Sequence, residues 1–250
     1  MKLLDILKEQ DPTFGNVAFA DRDQWSGDNA DTTHDKFLKL QGKSPKDAEP
    51  NTEEEEKIYL ALRDLISNYN PKADKVLAKR LDALDKGKRL FPSVFSPEKP
   101  NGTVVYRGLR KLTPTMFGIL SQNAEKGDWQ SIQMEGNKSW YLCKKPIKYS
   151  PSRIWQSWSY SQESSAFFGE AAMLVTKQTD EFYFSTNTMH IIFHKHDEQE
   201  ILHFGYSYSN PVYIAISPAK FGSLYGSRPT DTQGGDAQSL SNAASQLLGK

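Results

Sequence analysis

Three short segments hold the residue types from which a reacting site can be built. Glu198-Gln199-Glu200 runs into the apolar stretch Ile201-Leu202-His203-Phe204. Read as a strand, it sends residues two apart to the same face, so two carboxylates project into one space while apolar neighbours anchor them. Adjacent acids repel, a cost that a surface gaining nothing from the pair tends to avoid. The competing reading is a solvated turn, His196-Asp197-Glu198, that merely precedes a strand. Carboxylates held together in this way can stabilise developing positive charge or accept a proton.

Upstream, Val104-Val105-Tyr106-Arg107-Gly108-Leu109 has the β-branched and aromatic character of a strand. Gly108 either ends it or admits the close approach of another chain or a ligand. Arg107, at the end of the apolar run, offers a fixed fork of donors matched to phosphate or carboxylate oxygens. The alternative is an edge-strand arginine paired with a surface acid. The third segment, Ser157-Trp158-Ser159, reads as a strand with both serines on one face and Trp158 on the other. Glu163-Ser164-Ser165-Ala166-Phe167-Phe168-Gly169 follows as a short helix. An ordinary half-buried strand with serines facing water is the plainer alternative.

In order and spacing the three segments resemble the mono-ADP-ribosyltransferases of the arginine/serine/glutamate type, found in bacterial toxins, bacteriophages and vertebrate ectoenzymes. That family runs from a strand ending Tyr-Arg-Gly, to a Ser-x-Ser strand with a downstream aromatic, to Glu-x-Glu before an apolar strand. The matching residues are Tyr106-Arg107-Gly108, Ser157-Trp158-Ser159 with Phe168, and Glu198-Gln199-Glu200. The likeness covers roughly residues 50 to 220, and the Ser-Trp-Ser form looks most like the enzymes of tailed bacteriophages. It implies an α+β, ADP-ribosyltransferase-like fold in which N-terminal helices precede a mixed two-sheet β core.

The resemblance also implies a reaction: ADP-ribose moves from NAD to arginine side chains of a host protein, and nicotinamide leaves. Glu200 is then the catalytic carboxylate, oriented by Ser157. Arg107 binds the phosphate and ribose region of NAD, while Gly108 lets backbone approach the nicotinamide amide. Ser159 belongs to the NAD site, and Phe168 packs on the nicotinamide, with Phe167 the alternative in a one-residue shift. Glu198 selects the acceptor, because a carboxylate can pair with an incoming guanidinium and help remove its proton. Other outcomes stay open: an NAD glycohydrolase, a transferase to another side chain or to nucleic acid, or a binding module such as a virion structural protein. One departure concerns the substrate-recognition loop. Met189–Phe193 reads as a strand and leaves little room before Glu198, unless Thr179 to Met189 forms part of that loop.

The elements that must position these residues are legible separately. Thr52 before Glu53, Glu54 and Glu55 is a capping-box pattern, and Ile58, Leu62, Leu65, Ile66 and Tyr69 give one apolar helical face. Asn70-Pro71 starts a second helix with Val76, Leu77, Leu81 and Leu84 inward and Lys86, Lys88 and Arg89 near its C-terminus. A proline-rich loop from Phe91-Pro92 to Lys99-Pro100 leads to the Arg107 strand. Thr113-Pro114 opens a further helix, and Pro211–Ile216 is a closing strand.

Composition bounds the rest. The 250 residues suffice to bury a core, and 31 basic residues balance 31 acidic ones, so no charge bias points to nucleic acid or an anionic membrane. The single cysteine, Cys143, forms no internal disulfide and no cysteine metal cluster. No apolar run reaches the length of a bilayer span. The expectation is a protein with no membrane partner, acting in the host cytoplasm and carried in a virion if its first residues are a packaging helix. That idea rests on Leu7-Lys8-Glu9, which resembles the Leu-x-Glu sites cut by phage prohead proteases; the alternative is a helix docked on the domain. Residues 1–50 read as an N-terminal arm, 51–225 as the catalytic domain and 226–250 as a polar tail with a short helix at Leu240 to Leu248. His190, His194, His196 and His203 crowd the glutamate pair and sketch a zinc or iron site, but no helical His-Glu-x-x-His pattern supports it, and no metal is expected.

Overall fold

The computed structural model describes residue 53 and residues 74–134, 138–151, 154–169, 171–184, 199–226 and 238–249. The N-terminal arm, Glu198, the Met189–Phe193 segment, three of the crowded histidines and the first helix beyond Glu53 lie outside the described residues. In chain order the elements are α1 (Asp74–Leu90), α2 (Pro92–Phe95), β1 (Val104–Leu109), α3 (Pro114–Asn123), a 3₁₀ turn at Lys126–Asp128, β2 (Trp129–Met134), β3 (Lys138–Cys143), β4 (Trp155–Ser159), α4 (Gln162–Phe168), β5 (Ala172–Lys177), β6 (Phe182–Tyr183), β7 (Glu200–Phe204), β8 (Tyr213–Ile216), α5 (Pro218–Tyr225) and α6 (Leu240–Leu248). Mixed α and β structure with antiparallel strand pairs is therefore what the chain forms. No helix among the described residues is long and apolar enough to cross a membrane.

The chain divides into two compact units. The first comprises Met1–Lys99, Ser152–Ser157 and Asp180–Tyr206; the second comprises Pro100–Pro151, Trp158–Thr179 and Ser207–Lys250. Within the first, the strands follow the hydrogen-bonded order β4-β7-β6. Leu202 and Phe204 of β7 join Leu84 of α1, Val94 and Phe95 of α2, and Tyr183 and Phe184 in one apolar cluster. The proline-rich loop thus differs from the expectation, because it contains a helical turn. Pro92 at the first helical position supplies a preset φ, and Val94 and Phe95 are buried.

Lys88 ends α1 in a half-buried position. Its ammonium lies 3.8 Å from the Tyr183 ring centroid and donates to the Asp180 carbonyl. The Tyr183 hydroxyl donates to Asp85 Oδ1 at 2.5 Å. Burial pushes Lys88 down to about 8, against the attraction of Asp180 and Asp85, and burial with the Asp85 bond pushes the Tyr183 phenol up. An unfolded lysine keeps its proton to about pH 10.4, so between about pH 8 and 10 the unfolded chain holds more protons at this position and stability rises with pH. Above about pH 10 the unfolded tyrosine loses its proton first and the trend reverses. Urea midpoints measured across that window are expected to climb for the wild type and to stay flatter for Lys88→Met; equal slopes would remove this account.

In the second unit the strand order is β2-β3-β8-β5-β1-β4. β1 is central, fixed by Arg107↔Leu174 and Gly108↔Met173 against β5 and by Tyr106↔Ser159 against β4. Within each unit the strands make one open antiparallel ladder, where the resemblance implies two sheets. Thr113 caps α3, accepting from the Met116 amide at 3.2 Å, as Thr113-Pro114 predicts. The segment read as a polar tail ends in α6, whose Leu240, Ala243, Ala244 and Leu248 lie in the same apolar cluster as Tyr106, Leu142 and Met173. Lys177 holds its far end by donating to the Leu248 carbonyl at 2.5 Å.

Candidate functional site

β4 and β7, neighbours in the first unit, bring together two residues separated by 43 positions in sequence: the Ser157 hydroxyl donates to Glu200 Oε1. Glu200 is only 4% exposed, and Ser157 is half-buried. Alternation places Glu200 on the same face as Leu202 and Phe204, and Ser157 on the same face as Trp155, which packs on that apolar cluster. A buried carboxylate is costly unless hydrogen-bonded, so the serine hydroxyl both stabilises Glu200 and restricts its rotation.

The strand begins at Glu200, and Gln199 has φ 49, in the left-handed region. Alternation predicts that Glu198 shares a face with Glu200; Glu198 lies outside the described residues, and Gln199 between them is not extended but left-handed. Gln199 itself is exposed.

The opposite face of the same two strands carries Gln156 and His203. His203 is fully buried, with Nδ1 3.0 Å from Gln156 Oε1 and Nε2 3.3 Å from Glu181 Oε2. Phe182 lies edge-on to the imidazole at 5.0 Å between ring centroids. Both ring nitrogens thus face side-chain partners, Gln156 buried and Glu181 half-buried. No group of three or more histidine, cysteine, aspartate or glutamate residues among the described residues is placed to hold a metal ion.

Arg107, Gly108, Ser159 and Phe168 belong to the second unit. Arg107 is 5% exposed in the central strand β1, so the edge-strand reading does not hold. Gly108 does not end the strand, which continues to Leu109. A Cβ there would stand 1.9 Å from the Ser165 carbonyl oxygen and 2.7 Å from the Gly169 amide nitrogen. Of the two readings of Gly108, close approach by another piece of chain is realised: α4 lies directly against it. Ser165 Oγ reinforces the contact, donating to the Tyr106 carbonyl at 3.1 Å.

Ser159 is buried, and its hydroxyl accepts from the Ser161 amide at 2.9 Å. Ser161 in turn caps α4, accepting from the Ser164 amide at 3.1 Å. Ser159 therefore shapes the turn between strand and helix. At the end of α4, Phe167 is 78% exposed and Phe168 is half-buried, with their rings edge-to-face at 5.2 Å. Cys143 is buried and its thiol is pushed up, chiefly by that burial, which makes it a poor nucleophile.

Gln156 and Glu181 are polar groups that reading along the chain passes over. The usable signal is period two: Gln156 must face away from Ser157, and His203 away from Glu200. No family model, curated protein or solved structure matches this chain.

Proposed function

We propose that this chain is a mono-ADP-ribosyltransferase with an ADP-ribosyltransferase-like fold, transferring ADP-ribose from NAD to arginine side chains of a host protein. The observation that carries the reading is the hydroxyl of Ser157 on the buried carboxylate of Glu200, a pairing of two of the motif residues. Nicotinamide is a cationic leaving group on an anomeric carbon; the C–N bond breaks with its electron pair going to nicotinamide, leaving an oxocarbenium-like ribosyl centre. Glu200 accepts a hydrogen bond from a ribose hydroxyl and offsets the developing charge. Ser157 holds it in one orientation. Arg107 takes the phosphate and ribose region, Gly108 and Ser159 belong to the NAD site, and Phe168 packs on the nicotinamide. A guanidine nitrogen of the acceptor then bonds to the anomeric carbon, and its proton passes to Glu198.

Labelled NAD incubated with the protein and a cell lysate tests this. Label on protein supports the transferase; free ADP-ribose alone replaces it with a hydrolase; no consumption leaves a binding module. Glu198→Gln is expected to lower arginine transfer at least about a hundredfold while sparing most NAD hydrolysis, since a free guanidinium has too high a pKa to attack unaided. Equal loss of both activities would remove this division of labour.

A further inference from the structure

Two polar links tie β4 to β7 in the first unit, one on each face. Ser157 bonds Glu200 on one face, and Gln156 Oε1 lies 3.0 Å from His203 Nδ1 on the other. Gln156 is the chain neighbour of Ser157, and His203 stands three residues beyond Glu200 on the same strand. The second imidazole nitrogen reaches Glu181, which precedes β6, and Phe182 of β6 is the register partner of His203. The Phe204 amide also donates to the Glu181 carbonyl at 2.9 Å. One planar ring, fully buried, thus connects β4, β7 and the approach to β6.

We infer that His203 is a positioning residue: with Gln156 and Glu181 it fixes β4 against β7 and so sets Ser157 opposite Glu200. The inference rests on the reading of Ser157 and Glu200 as groups of the reacting site. A serine hydroxyl rotates freely about its Cβ–Oγ bond, so the bond from Ser157 to Glu200 does not define the strand offset by itself. A rigid imidazole held at both nitrogens on the reverse face can, because side chains of paired strands keep their alignment only as long as register does. Packing against Phe182 needs only an apolar ring, so the hydrogen bonds are what histidine adds here. Small errors of placement are costly in catalysis; misplacement by about 1 Å lowers rates on the order of a hundredfold.

The experiment uses His203→Gln and Gln156→Met in the full chain, each also combined with Ser157→Ala. NAD cleavage gives kcat and KM, and calorimetric NAD stoichiometry counts the folded, binding-competent molecules. Expected for each single variant is a kcat lower by on the order of tenfold to a hundredfold per competent molecule, with KM changed by less than about threefold. In the Ser157→Ala background the same changes should cost less than about threefold, because the contact they align is gone. A purely structural role predicts fewer competent molecules and the same proportional loss in both backgrounds, and that result overturns the inference. Should His203→Gln fail to fold, Gln156→Met decides by the same measures. A wild type that leaves NAD intact overturns the proposed function and this inference with it. An active wild type with unaffected variants overturns the inference alone.

Discussion

Glu200→Gln is expected to slow nicotinamide release by roughly 10²–10³-fold, the loss typical when a group stabilising transition-state charge is removed. The amide has nearly the volume of the carboxylate, and its oxygen can still accept from the Ser157 hydroxyl that holds Glu200. Folding should therefore survive, even though residue 200 is 4% exposed and adjoins a packed apolar face. On the proposed reaction, what disappears is the negative charge beside the ribosyl centre. Both transfer and hydrolysis should fall together, because both pass through the same departure of nicotinamide. NAD affinity measured by calorimetry should change far less than kcat, since the charge matters most when the C–N bond is breaking. Chromatographic assay of released nicotinamide provides the check. An undiminished rate in this variant would take Glu200 out of the chemistry and leave its serine contact a structural one.

The parts of this molecule that were readable from sequence are those with a local cause. β1 and β7 carry apolar runs with β-branched residues, β4 carries the Ser157-Trp158-Ser159 alternation, and Thr113-Pro114 announces the start of α3. The Ser157–Glu200 contact joins two of the motif residues, whose order in the chain can be compared with a family. Other features depend on non-local placement or on one backbone angle. α2 is too short to show a period, and Pro92 within a proline-rich stretch suggests a loop. Arg107 lies in a central strand because β4 and β5 flank β1, a neighbour order that no residue near it encodes. Gln199 adopts φ 49, and alternation of polar and apolar types carries no trace of that angle. Gln156 and His203 are polar residues whose reason for burial is each other, across 47 positions of chain.

Gly108→Ala separates packing from ligand approach, and it should be the most destabilising of the substitutions considered. The added Cβ would sit 1.9 Å from the Ser165 carbonyl oxygen, 2.7 Å from the Gly169 nitrogen and 3.0 Å from the Gly169 Cα. All three are backbone atoms, so no side-chain rotation relieves the clash. β1 cannot retreat, since β5 pairs with it over six residues and Tyr106 pairs with Ser159 of β4. α4 would have to lift away, breaking the bond from Ser165 Oγ to the Tyr106 carbonyl. A cost above about 4 kcal/mol follows, the range in which small domains lose their folded state. Gly118, inside α3 with nothing within 4 Å of its Cβ position, is the matched control, and Gly118→Ala should stabilise by about 0.5–1 kcal/mol. If Gly108 served only to admit a ligand, Gly108→Ala would unfold at the wild-type urea midpoint and lose NAD binding alone. Loss of the unfolding transition itself, with Gly118→Ala intact, places the requirement in the contact between β1 and α4.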